Sequence, residues 1–179
     1  MIKKIIIGVV LGVVIYFVYG ILTTRSHSPQ DTATTTIGDL SVSVVYCQPF
    51  KKGRLIFGEE SEEALVPYGK YWRLGANEAS EITLSQDVTF AGQNLAAGSY
   101  RLYAVPNAKS WQVSLNSELG EFGYFEPDYS LDVLKVDVPV SKNAEEMEQF
   151  TIQFTNDSTA TQMHMMWDKT RVSIPIVAQ

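Results

Sequence analysis

Cysteine occurs once in 179 residues and histidine only twice. A single thiol, Cys47, excludes an intramolecular disulfide framework. It sits in an apolar strand pattern, so it is expected to be buried and inert. With His27 and His164 as the only imidazoles, the chain cannot supply the His/Cys set of a zinc site, and neither metal nor cofactor is expected. No Gly-x-Ser-x-Gly elbow occurs, which leaves Ser–His catalysis with little to stand on. His164 is expected on the solvent or partner face of a strand. Basic residues are also scarce: fourteen Lys and Arg stand against twenty Asp and Glu. Without Lys3, Lys4 and Arg25, eleven bases remain against twenty acids from Asp31 onward, a charge of about −9. Such a domain does not suit nucleic acid, which rewards clustered Lys and Arg. Nor does it suit lying flat on anionic lipid.

Long hydrophobic runs are missing except for one. Ile5 to Leu22 carries no charge and no proline over 18 residues. At about 1.5 Å per residue, a helix of that length crosses most of a bilayer's hydrocarbon core. The core is longer than that of a secretory signal, and no Ala-x-Ala-like site follows it. The run therefore predicts an uncleaved N-terminal transmembrane helix over residues 1–22, with a cleaved signal and secretion as the alternative. Lys3 and Lys4 precede it and only Arg25 follows closely. The positive-inside rule then keeps the N-terminus in the cytoplasm and exports the rest to the periplasmic side of the inner membrane. Gly8 and Gly12 have the Gly-x-x-x-Gly spacing of a close helix–helix approach, the basis for expecting a weak homodimer. Residues 23–33 read as a polar, Thr-rich linker.

Residues 34–179 read as one all-β domain. Apolar residues alternate with polar ones in Val42-Ser43-Val44, in Ile82-Thr83-Leu84, and in Tyr100 to Ala104. The same holds for Trp111 to Leu115, Leu134 to Val140, Phe150 to Phe154, Met163 to Trp167 and Val172 to Ile176. Turn signals separate these runs, among them Gly38-Asp39, Ala91-Gly92 and Asn156-Asp157. The pattern predicts an antiparallel β-sandwich of about eight to nine strands. Pro139 and Pro175 mark edges or bulges. Ser141 to Gln149, with three glutamates, is expected to form one helical turn.

The alternation stops between Tyr46 and Ser80. There the chain reads Lys52-Gly53-Arg54, Phe57-Gly58, Leu65-Val66-Pro67-Tyr68-Gly69-Lys70, Trp72-Arg73 and Gly75-Ala76-Asn77-Glu78-Ala79. With Leu95, Gly98 and Tyr100, then Pro106 and Trp111, and the closing Trp167 and Val172 to Ile176, these segments resemble domain-of-unknown-function family 2911. The resemblance spans about Thr34 to Ile176 and implies an exported bacterial β-sandwich domain of no established activity. This chain departs from the family pattern in three ways. Cys47 and Gln48 stand where serine and arginine are usual, and Leu74 stands where threonine is usual. An acidic insert, Glu59 to Glu63, separates Gly58 from Leu65. It lacks the alternation and glycine of a calcium loop, and reads as a solvated loop.

Within that block, Arg54, Tyr68, Tyr71, Trp72, Arg73, Asn77 and Glu78 combine flat aromatic faces with planar hydrogen-bonding groups. They suit a sugar or a small polar ligand, and Arg73 suits a carboxylate in forked geometry. A structural Arg73–Glu78 ion pair is the competing reading. The leading function is therefore a non-catalytic, membrane-tethered module that binds a small polar ligand or an envelope protein. A hydrolase of envelope carbohydrate, drawing two carboxylates from Glu78, Glu81, Glu121 and Glu126, is one alternative. A pure scaffold is the other. The aromatic loop Glu121 to Pro127 either packs on the core or rims the same pocket.

Overall fold

The computed structural model describes residues 2–179, without the side chains of residues 2–7, 9, 19 and 21–25. Helix α1 spans Ile2–His27. Part of the apolar run lies on side chains outside the described residues. Among the described residues, no helix is long and apolar enough to cross a membrane. Only Ser28 and Pro29 separate α1 from β1, Gln30–Ile37. The spacer expected over residues 23–33 is thus mostly helix and strand.

Eleven strands follow α1, all antiparallel except one short pair. β2 (Leu40–Cys47), β5 (Ser80–Leu84), β8 (Gly98–Pro106) and β9 (Ser110–Asn116) continue from β1 in the order β1-β2-β5-β8-β9. β10 is 25 residues long, Asp132–Asn156, because two expected strands fuse. Asp132 to Pro139 pairs with β9, and Val140 to Asn156 pairs with β11, Thr161–Ala178. The order then runs through β6 (Val88–Phe90) to β7 (Gln93–Leu95). β10 therefore belongs to both layers. Pro139 lies where its pairing passes from β9 to β11, and Pro175 lies where β11 passes from β10 to β6. Neither proline leaves a ladder bond unmade inside a doubly paired stretch. β3 (Phe57–Gly58) and β4 (Val66–Pro67) form a parallel pair in the long connection.

Alternation accounts for the core. In β2, Leu40, Val42, Val44 and Tyr46 point inward and are at most 2% exposed. They meet Trp111, Val113 and Leu115 of β9, and Met163, Met165, Trp167, Val172, Ile174 and Ile176 of β11, in one continuous apolar cluster. The Tyr46 hydroxyl reaches the partner layer and accepts from the Ile152 N–H at 2.9 Å.

Two local expectations are corrected. Ser141 to Gln149 is not a helical turn. It is strand, with register shifts between Lys142 and Met147 and between Met147 and Thr151. Its acids face the 51–52 turn instead: Glu146 accepts from Lys51 at 2.6 Å, and Glu148 accepts from the Lys52 N–H at 2.8 Å. His164 does not face solvent; it is buried. The hydroxyls of Thr155 and Ser173 lie 2.8 Å from its two ring nitrogens, so the neutral ring is satisfied without water.

Candidate functional site

The long connection returns over one end of the sandwich and is fastened there by backbone bonds. β5 pairs with β8 only as far as Leu102. Beyond that point Trp72 takes its place, exchanging two bonds with Ala104 at 2.8 and 2.9 Å, while the Gly69 N–H reaches Pro106. The Trp72 indole is thereby driven into the core. It stacks on Trp167 at 5.9 Å and meets Phe57, Trp111 and Phe150 edge-on. Its Nε1–H donates to the Gly75 carbonyl at 3.3 Å. Gly75 has to be glycine: its φ is +149°, and a Cβ there would stand 2.6 Å from the Cys47 carbonyl oxygen.

This winding opens a hollow of about 350 Å³. Lys52, Arg54 and Arg73 supply its charge, Trp72 and Trp167 its aromatic surface, and Leu65 part of its rim. A second hollow of about 190 Å³ shares Leu65, Val66, Trp72 and Arg73 with the first, and adds Pro67, Tyr71 and Tyr124. Among the described residues, no carboxylate lines either one. Trp167 carries a buried Nε1–H with no acceptor among the described residues.

Arg73 stands at the boundary of both hollows. Its guanidinium is half-buried and donates to the Asn77 carbonyl at 3.3 Å. Burial lowers its basicity, and Tyr71 and Tyr124 act in the opposite direction. Among the described ion pairs there is none between Arg73 and Glu78. Glu78 instead accepts from the Cys47 thiol at 3.4 Å. Burial, and then Glu78, push the Cys47 thiol up and hold it as the unreactive thiol. Arg54 is exposed and donates to the carbonyls of Lys51 and Phe50.

Of the seven candidate residues, Arg54, Tyr71, Trp72 and Arg73 line the two hollows. Asn77 sits behind Arg73. Its carbonyl accepts from Arg73 and from the Gly123 N–H, and its amide donates to the Ser28 carbonyl at 3.4 Å. Glu78 also lies behind, pairing its backbone with Phe122. Tyr68 lines neither hollow; burial together with Glu59 and Glu62 pushes its phenol up. The glutamates proposed as a catalytic pair are engaged separately: Glu81 accepts from the Gly120 N–H and Glu126 from the Tyr129 hydroxyl.

Lys52, Leu65, Tyr124 and Trp167 line the hollows and were not among the candidates. The aromatic loop does rim the site, through Tyr124. Its backbone is held by Gly123, whose carbonyl accepts from the Tyr71 hydroxyl at 3.1 Å. The same Tyr71 oxygen accepts from Arg101 at 2.7 Å. Arg101 is fully buried, pairs with Glu118 at 3.1 Å and donates to the Phe125 carbonyl. Only the folded chain brings these distant segments together.

The chain belongs to the family described as Protein of unknown function (DUF2911), whose model matches residues 28–176. No curated protein and no solved structure matches it.

Proposed function

We propose that this member of the DUF2911 family is an exported β-domain, held to a membrane by α1, that binds a small anionic ligand in the hollow over Trp72 without chemistry. One observation carries the reading. Arg73 keeps a half-buried charge that burial disfavours, and among the described residues no carboxylate forms an ion pair with it. Lys52 and Arg54 share the same hollow. A carboxylate bridging the Arg73 fork supplies the missing partner and is the ligand group this geometry suits. The two tryptophans under it keep that interaction partly out of water, where a charge pair is stronger. Among the described residues, the lining offers no pair of carboxylates for glycoside cleavage.

The test is calorimetric titration of the full chain, in detergent micelles, with propionate. Binding is expected in the wild type and at least about tenfold weaker in Arg73→Gln, since a charged hydrogen bond is worth roughly 1.5–3 kcal/mol. If Arg73→Gln unfolds the domain outright, Arg73 is a structural residue and the reading fails. The address is tested separately by adding protease to intact spheroplasts. Digestion of the domain is expected, and protection reverses the orientation read from Lys3 and Lys4.

A further inference from the structure

Resting on that anion reading, the two hollows say more about the ligand than either does alone. They share Leu65, Val66, Trp72 and Arg73. The larger adds the cations Lys52 and Arg54, together with His27 and Trp167, whereas the smaller adds Tyr71 and Tyr124 and no further cation. A cation-rich compartment therefore adjoins an aromatic one where Arg73 and Trp72 are shared. The smaller hollow, at about 190 Å³, has room for a ring, since an apolar cavity of about 150 Å³ accepts benzene. A guanidinium favours an aromatic face beside it as well as a carboxylate before it. We infer that the ligand is a small aromatic carboxylic acid. Its carboxylate lies in the larger hollow against Arg73, Lys52 and Arg54, and its ring in the smaller one against Tyr71 and Tyr124. Tyr124 is 69% exposed and Leu65 42% exposed, apolar surface that a ring would cover.

Two loop contacts build this second compartment. The Tyr71 hydroxyl is fixed between Arg101 and the Gly123 carbonyl, so its ring cannot swing aside. The loop approaches closely because residue 123 is glycine: a Cβ there would lie 2.7 Å from Arg73 Cδ. The same approach brings Tyr124 to the rim.

Calorimetry on the full chain in micelles, with propionate, 3-phenylpropionate and 4-phenylbutyrate as probes, tests the inference. At least one aryl acid is expected to bind about tenfold or more tightly than propionate, the usual gain from filling an apolar pocket. Tyr124→Ala is expected to abolish that gain, so that neither aryl acid binds this variant more tightly than propionate does. Its side chain is mostly exposed, so the fold is kept. If propionate binds and neither aryl acid binds more tightly, the aromatic compartment is refuted while the anion site stands. If aryl acids bind more tightly but Tyr124→Ala changes nothing, the compartment is misplaced and the inference falls. If none of the three binds, the anion reading itself fails and takes this inference with it.

Discussion

Gly123→Ala tests how the site is assembled. Gly123 is not at positive φ, so its backbone admits alanine without strain. The obstacle is steric. The new methyl would stand 2.7 Å from Arg73 Cδ, 3.0 Å from Arg73 Cβ and 3.0 Å from the Ala79 nitrogen. Carbon atoms rest at about 3.5–4.0 Å, so the overlap with Cδ alone approaches 1 Å. Retreat of the loop would stretch the bonds from Gly123 N–H to Asn77 and from Tyr71 to the Gly123 carbonyl, each worth about 1 kcal/mol. Movement of Arg73 would give up its bond to Asn77. Either way, overpacking should cost about 1–3 kcal/mol. In an Arg73→Ala background the Cδ contact disappears, and part of that penalty should go with it. Urea unfolding of wild type, both single variants and the double variant is the assay. A coupling of about 1 kcal/mol is expected, with the double variant more stable than the sum of the singles predicts. Additivity within about 0.5 kcal/mol would refute the claim that Gly123 sets the position of Arg73.

Gly75→Ala combines a disallowed φ with a 2.6 Å contact to backbone, and should destabilise the domain by about 2–4 kcal/mol in the same assay; a loss under about 1 kcal/mol contradicts it. Cys47 should resist iodoacetamide at pH 8 in the folded chain and react once urea unfolds it, because it is buried with its thiol pushed up. On the alkaline side, Cys47, Tyr46 and Tyr71 all hold their protons more tightly when folded, chiefly through burial. The unfolded chain then loses protons first, so stability should be complete below about pH 8.5 and decline as pH rises past it. On the acid side, burial and then Arg171 lower the His164 pKa. The unfolded chain takes up that proton first, so this contribution is complete above about pH 6.5 and is lost as pH falls through the folded value. His164→Gln should flatten the slope of stability between about pH 6.5 and 5, and an unchanged slope would assign it to other groups.

The fold was legible where a side chain's neighbour is set by period. Val42-Ser43-Val44 and Trp111-Gln112-Val113 announce strands and their buried faces, and both appear as read. Period fails where tertiary contact decides. Ser141 to Gln149 has helical composition, yet Lys51 and the Lys52 backbone pull its acids into an extended, bulged strand. His164 reads as a residue on the solvent or partner face of an alternating strand. Two hydroxyls and Arg171, from positions no local pattern links, close over it. The site divides the same way. Trp72 and Arg73 stand out as an aromatic and a cation where alternation stops. Lys52, Leu65 and Trp167 join them only because Trp72 pairs with β8 and carries the connection over the end of the core.

Charge distribution supplies an argument that neither period nor packing does. Twenty acids stand against eleven bases beyond Arg25. Lys51, Lys70, Arg101, Lys135 and Lys169 each pair with a carboxylate. Among the described residues, the other six have none within ion-pair distance; Lys109, Lys142 and Arg171 are dispersed, whereas Lys52, Arg54 and Arg73 share one hollow. Gathering like charges on one concave surface, with one of them half-buried, opposes folding. Glu78, close in sequence, accepts from the Cys47 thiol and does not line the hollow. The three cations therefore face whatever enters it. An anion is the one class of small ligand that gains from all three cations at once.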